Sequence, residues 1–287
     1  EPCTHYGKTP SCTNQIIKSK IKRVVYSIND VDIRTSNKAN SVLKLKKIKV
    51  TKGILKLEVM KLYNNYLNHK KKNIPFVAAK IACSSDYYTT SKNKLITNIH
   101  SRNVSHYLRY KFDSILVSSK TINADNSKLT CRLNGLKNHS PKRLILDRNL
   151  KINRNSHVIN DNNKKNTIIF HASKDKEKIK FFTLKGIKLI YTDIDINNNI
   201  NLNKVFSKVY NMGIGSIIIE GGKILTKSVL RDKLINEFYL FKSKKKLGNS
   251  GKNNISDLKN KLKFLRKSEK IETFLDGDKI TRYYWNV

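Results

Sequence analysis

The stretch with the clearest chemical potential in this chain is residues 213–230, GIGSIIIEGGKILTKSVL. Its β-branched run at 216–219 suits a buried parallel strand, and Glu220 closes that run with a carboxylate at the strand's carboxyl end. Gly221 and Gly222 then permit a tight turn and bring bare N–H groups close to a ligand. Residues 223–230 carry Ile224, Leu225 and Val229 at near-helical spacing. The first N–H groups of a helix have no internal partner and sit at the positive end of its dipole, so strand, Gly-Gly, helix makes a cradle for phosphate or pyrophosphate. A glycine pair is less specific than a full glycine fingerprint, and the same stretch also reads as an ordinary strand-to-helix turn. A second group is Cys3 and Cys12, with eight residues between them in EPCTHYGKTPSC. Two such thiolates can occupy two positions on Zn²⁺ if other residues supply the rest, while the spacing alone equally allows two free surface thiols. A third is Lys80, which interrupts the apolar run PFVAAKIAC at 75–83. A lysine there is a site residue or an edge residue whose stem snorkels to water, and the pattern by itself favours the edge.

Strands must end at these groups to position them. Apolar runs predict strands at 24–27, 48–50, 75–83, 114–117, 167–171, 187–191, 216–219 and 236–241, a strand and turn at 141–150, and closing strands at 264–267, 271–275 and 280–285. Helical spacing predicts helices at 13–23, 42–47, 54–67, 104–110, 202–212 and 223–230, with a Ser-Ser-Lys-Thr turn at 118–121 and a polar loop at 153–165. The alternation indicates an α/β protein. A length of 287 residues favours about two domains, and the lysine-rich run 69–72 divides them into 1–70 and 74–287.

Lys and Arg number 59 against 21 Asp and Glu, a formal charge of +38. Such a balance favours polyanions, yet the lysines are spread along the chain, and no zinc finger, RNP-type aromatic motif or basic heptad helix accompanies them. Specific nucleic-acid binding is therefore not expected; weak nonspecific binding at low salt is. No apolar run approaches the ~20 residues that span a bilayer, and no charged-then-apolar leader is seen, so a soluble cytoplasmic protein without membrane contact is expected. The first residue is Glu1 rather than Met, from which a natural start upstream is expected. Four cysteines in a chain this long do not suggest a disulfide framework, and Cys83 and Cys131 sit in strand-like surroundings as small hydrophobes. The seven histidines show no ligand spacing and read as surface or satisfied core residues.

Longer motifs make a family resemblance specific. EPC-x-HYGKTP-x-C resembles the zinc-binding stretch of the bifunctional riboflavin biosynthesis proteins, which join a pyrimidine deaminase to a reductase. PFVAAKIACSSD resembles the opening of that family's reductase domain, with Lys80, Ser84 and Asp86 matching and Tyr87 in place of a glycine. Leu95 to Thr97 stand where the family has Trp-Ile-Thr, after a shortened loop. Asp113, Ile115, Leu116, Thr121, Asp125, Leu129, Thr130 and Arg132 meet a further family pattern, from which Asn126 and Ser127 depart. Residues 236–241, NEFYLF, resemble the family's Asp-Glu-Leu strand, with Gly248 and Gly251 as its glycine loop and Ser243 and Lys244 in place of Ala-Pro.

The resemblance implies a partial three-layer cytidine-deaminase-like domain followed by a dihydrofolate-reductase-like α/β domain. It implies NADPH-dependent reduction of the ribose of 5-amino-6-(5-phosphoribosylamino)uracil, a phosphorylated pyrimidine, to its ribityl form. Thr121, Asp125 and Gly222, Lys223, Ile224, Leu225, Thr226, Lys227 and Ser228 would hold NADPH, with Ala82 and Leu95 lining it. Asn93, Arg109, Leu129, Arg132 and Glu220 would hold substrate, and Lys80 and Asp86 would orient or protonate the open-chain sugar imine. Two guanidinium forks, Arg109 and Arg132, suit a ribose phosphate, although without the family they also read as exposed ion-pairing residues. Cys3 and Cys12 would be the thiolate ligands of a Zn²⁺. The His-x-Glu motif that supplies the third ligand and the proton-shuttling carboxylate is absent, so deamination by this chain is not expected. The family's Pro-Asn-Pro turn and Gly-x-Gly are also missing from residues 29–37. A homo-oligomer built on the reductase domain fits the family.

Overall fold

The computed structural model describes residues 1–7, 9–63, 66–67, 73–91, 95–263 and 267–284. They form two compact units, Glu1–Ile74 and Pro75–Val287.

In the first unit, β1 (Arg23–Tyr26) pairs in parallel with β2 (Lys49–Lys52), and helices Cys12–Lys18, Ala39–Leu45 and Lys56–Leu62 accompany them. The last helix starts at Lys56 rather than 54, because Gly53 and Leu55 both take left-handed backbone angles, φ 88° and 49°. Glu1 pins the loop that lacks the family's turn: its carboxylate accepts the N–H groups of Asp30, Asn37 and Ala39 at 2.9–3.0 Å. Among the described residues, these strands and helices make a small α/β unit.

The second unit contains β3 (Phe76–Cys83), β4 (Tyr88–Thr90), β5 (Ser114–Ser118), β6 (Lys142–Leu146), β7 (Thr167–His171), β8 (Lys188–Tyr191), β9 (Ser216–Ile219), β10 (Glu237–Lys242), β11 (Lys252–Asn254), β12 (Lys267–Lys270) and β13 (Lys279–Tyr284). Nine of them make one sheet in the order β12-β13-β10-β3-β9-β5-β6-β7-β8. The run from β10 to β8 is parallel, and β13 and β12 add antiparallel strands at one side. Strands in the middle of a parallel sheet face apolar layers on both sides, which is why SIII of β9 is buried at every position and FVAAKIAC of β3 at nearly every one. Alternation along β3 sends Val77, Ala79 and Ile81 into the core with Phe206 and Val229. Phe76 and Ala78 enter the opposite core with Phe112 and Phe182. Each of the larger side chains contributes roughly 1.5–3 kcal/mol by leaving water.

The α/β class is as expected, with departures that have local causes. Residues 119–125, expected to begin with a turn, form the helix Ser119–Asp125, which buries only Ile122 and so carries no periodic signal. Helix Lys176–Leu184 escapes pattern reading because lysines surround its one fully buried residue, Phe182; the visible clue is Asp175, whose side chain accepts the Lys178 N–H at 3.0 Å. Residues 153–165 contain the short helix His157–Asn160. Residues 271–275 are irregular with a bend at Thr273 rather than a strand, although Leu275 is buried; of the expected strand 264–267, residues 264–266 lie outside the described residues.

Candidate active site

β9 enters between β3 and β5, so neighbouring connections leave the sheet in different directions there, and a crevice opens at the carboxyl ends of the parallel strands. The crevice is a cleft of about 1190 Å³. Lys80 and Ala82 reach it from β3, Ser118 from β5, Asp147 from beyond β6, and Glu220 and Gly221 from beyond β9.

At its base, Arg109 of helix Ile99–Lys111 holds Glu220 bidentately, Nε to Oε1 at 2.7 Å and Nη2 to Oε2 at 2.9 Å. Arg109 Nη1 donates to the Thr130 carbonyl at 3.2 Å. Lys80 Nζ lies 3.9 Å from Glu220 Oε2 and 4.9 Å from the centre of the Phe241 ring. The side chains of Lys80 and Glu220 are only 14% and 13% exposed. Burial opposes ionisation of Glu220, but the charges of Arg109 and Lys80 and the Arg109 hydrogen bonds outweigh it and hold the carboxyl at about 2. Burial pushes the Lys80 ammonium down; Glu220 resists that shift and Arg109 adds to it. The edge reading of Lys80 fails, since β3 is hydrogen-bonded on both sides, to β10 and β9. Burial and then Arg109 also push Arg132, another cleft residue, downward.

The glycine pair behaves unequally. Helix Lys223–Arg231 begins directly after Gly222, and no side chain caps it. A Cβ on Gly221 would meet the Leu225 side chain at 2.9–3.1 Å, so this glycine permits close packing of the turn on its own helix. A Cβ on Gly222 would meet nothing within 4 Å, and its backbone is ordinary, φ −71°. The space beside Gly222 belongs to the cleft. An uncapped helix start with open room before it suits a phosphate.

Of the sequence-predicted residues, Ala82, Leu95, Thr121, Asp125, Leu129, Arg132, Gly222, Lys223, Ile224, Leu225 and Ser228 line this cleft with Lys80, Arg109 and Glu220. Thr226 and Lys227 do not: Thr226 is buried and its hydroxyl has no partner among the described residues, and Lys227 pairs with Asp257. Asn93 lies outside the described residues. Asp86 is not among the lining residues. It accepts the Ser84 hydroxyl at 2.6 Å and the N–H groups of Leu247 and Gly248 at 3.1 and 2.8 Å, bonds that with Ser84 foremost hold its carboxyl at about 2. It therefore ties β3 to the glycine loop instead of facing a substrate. The two-fork clamp is also revised, because three of Arg109's five donors are committed to Glu220 and Thr130. In the first unit the Cys12 N–H donates to Cys3 Sγ at 3.1 Å, bringing the two residues together. Among the described residues no group of three or more His, Cys, Asp or Glu stands together, so the residues present do not by themselves fit a zinc centre. Among the described residues no helix is long and apolar enough to cross a membrane.

His106 is among the cleft residues that sequence reading missed. A lone histidine has no motif; the available signal was its position three residues before Arg109 on one helix face.

A parallel sheet with a guanidinium- and ammonium-lined cleft at its carboxyl edge, and an open helix start beside it, defines an α/β protein built to hold anionic ligands. By sequence the chain belongs to the RibD C-terminal domain family, which matches residues 75–277. The riboflavin biosynthesis protein RibD of Bacillus amyloliquefaciens is 33% identical over 245 residues, covering 84% of this chain and 65% of that protein. RibD of Aquifex aeolicus is 30% identical over 251 residues, covering 86% and 68%. The chain thus spans about two thirds of the length of these curated relatives. A solved deaminase/uracil reductase from Thermotoga maritima is 26% identical with a TM-score of 0.81, covering 100% of this chain and 78% of that one. The riboflavin biosynthesis reductase Rib7 of Saccharomyces cerevisiae, 20% identical, shares the fold with a TM-score of 0.57 over 80% of this chain and 100% of its own.

Proposed function

We propose that this protein is a reductase of riboflavin biosynthesis that uses NADPH to convert the ribose of 5-amino-6-(5-phosphoribosylamino)uracil to the ribityl form. The family and the names of its relatives support the pathway. The observation that carries the reading is the Lys80–Glu220–Arg109 group in one cleft with the open helix start at Gly222.

The cleft residues fit the cofactor. The helix start at Gly222 would take its phosphate groups, Thr121 and Asp125 its polar parts, and Ala82 and Leu95 its apolar faces. When bound, NADPH supplies the hydride. The chain's own work is to position two phosphorylated molecules and to exclude water. Arg132 attracts the substrate phosphate. Arg109 keeps Glu220 ionised and in place, so that Glu220 can accept hydrogen bonds from the substrate while its charge holds Lys80. Lys80 Nζ, with its proton loosened by burial, is the group that hands a proton to the nitrogen of the opened sugar imine as the adjacent carbon is reduced.

NADPH oxidation followed by absorbance, with and without the deaminated pyrimidine, tests this reading. Substrate-dependent oxidation is the expected result, and Lys80→Met should lower kcat at least ~100-fold while NADPH still binds. NADPH binding without substrate-dependent oxidation would point to a different substrate for the same fold.

Cys3 and Cys12 we read as two thiolates of a zinc deaminase site that requires further ligands.

A further inference from the structure

His106 shares a face of helix Ile99–Lys111 with Arg102 and Arg109 and lines the cleft with them. Its Nδ1 stands 3.1 Å from the Thr130 carbonyl. A carbonyl only accepts, so Nδ1 carries the hydrogen, and in the neutral ring the lone pair sits on Nε2. Burial, then Arg109, then Arg132 push the ring's pKa down to about 4, against the opposing pull of the Thr130 carbonyl and Glu220, and so the ring is neutral at pH 7. The cationic groups of the cleft, Lys80, Arg102, Arg109 and Arg132, only donate, and the Glu220 oxygens are partly taken up by Arg109 and Lys80. Cations of this kind hold a phosphate but accept no hydrogen from the hydroxyls of the attached sugar. The Thr130 carbonyl, by fixing the tautomer, turns one histidine nitrogen into an acceptor for them.

We propose that His106 is a substrate-specificity residue whose Nε2 accepts a hydrogen bond from a sugar hydroxyl next to the bound phosphate, so that the site selects a sugar phosphate over a bare phosphate. The inference rests on the reading of this cleft as the site of a phosphoribosyl pyrimidine.

Calorimetric titration of the full chain with ribose 5-phosphate and with inorganic phosphate, at fixed moderate salt, tests it. Wild type should bind ribose 5-phosphate more tightly. In His106→Asn the amide nitrogen still reaches toward Thr130 but nothing replaces Nε2, so ribose 5-phosphate should weaken roughly three- to tenfold with inorganic phosphate unchanged. His106→Gln, whose amide oxygen lies near the Nε2 position, should recover part of the loss. Wild-type affinity for ribose 5-phosphate in His106→Asn would overturn the inference, as would equal losses for both ligands in both variants, the mark of a structural role. If wild type takes up neither ligand, the inference falls together with the reading of the cleft. If His106→Asn oxidises NADPH with an unchanged substrate KM, the inference falls alone.

Discussion

Arg109 and Arg132 occupy the same cleft, but their surroundings divide their work. Arg132 is not committed to a carboxylate by a bidentate pair, whereas Arg109 is locked onto Glu220. Arg132→Ala should therefore raise the substrate KM strongly and leave NADPH affinity nearly unchanged; equal losses of both, measured by steady-state kinetics and NADPH titration, would refute the division. Arg109→Met should instead destabilise the fold by about 3 kcal/mol in urea unfolding, because it strands a buried carboxylate. The pH dependence follows from the direction of the Glu220 shift. Its folded pKa, about 2, is depressed below the ordinary carboxylate value, so its contribution is complete above that ordinary value and is lost as pH falls through the folded one. Unfolding free energies compared at pH 7 and pH 3 should show a smaller acid loss in Arg109→Met than in wild type. Tyr87 shows a different residue-scale compromise. It replaces the family's glycine yet keeps a left-handed backbone, φ 69°, and is held there by packing on the core around Ile255 and by Lys242, whose Nζ stands 4.2 Å from its ring centre.

At the scale of elements, two short connections carry the site. The turn from β9 into helix Lys223–Arg231 needs its two glycines for different reasons, and substitution separates them. Gly222→Ala meets no neighbour, so thermal stability should hold while NADPH affinity falls, as the methyl fills the open cradle; unchanged affinity by titration would remove the cradle from the site. The second connection is the ribbon of β4 and β11, paired Tyr88 with Asn254 and Thr90 with Lys252. A Cβ on Gly251 would collide with the Tyr88 ring, which explains a glycine there, and Asp86 anchors the same loop through Leu247 and Gly248. Lys223 Nζ reaches the Asn254 carbonyl, tying this ribbon to the helix that begins the cradle.

For the whole molecule, every cleft-lining residue named above belongs to the second compact unit. A fragment of residues 75–287 produced alone should bind NADPH with the affinity of the full chain, measured by the same titration. Loss of binding with the fragment folded by circular dichroism would show that the first unit is needed. A formal charge of +38 adds a further expectation at this scale. Nonspecific DNA should bind at low salt and release steeply as salt rises, by counterion release, without dependence on NADPH.

The sequence by itself determined most of the central strands, because buried parallel strands must be continuous apolar runs, and it offered the glycine pair after one of them as either a cradle or an ordinary turn. SIII, FVAAKIAC and NEFYLF are legible for that reason, and so are Glu220 and Gly222 at the end of one of them, whereas Arg132 became a candidate only through the family resemblance. Tertiary structure alone decided three things. For Lys80 the residue pattern favoured an edge and the resemblance a site; only the pairing of β3 with both β9 and β10 places it in a central strand, since strand order is set by contacts between residues more than a hundred positions apart. Asp86 matched a motif, but only the approach of the 247–248 loop shows its lone pairs engaged. His106 carried no pattern at all; its acceptor nitrogen is defined by a carbonyl 24 residues away, a contact that local spacing cannot encode.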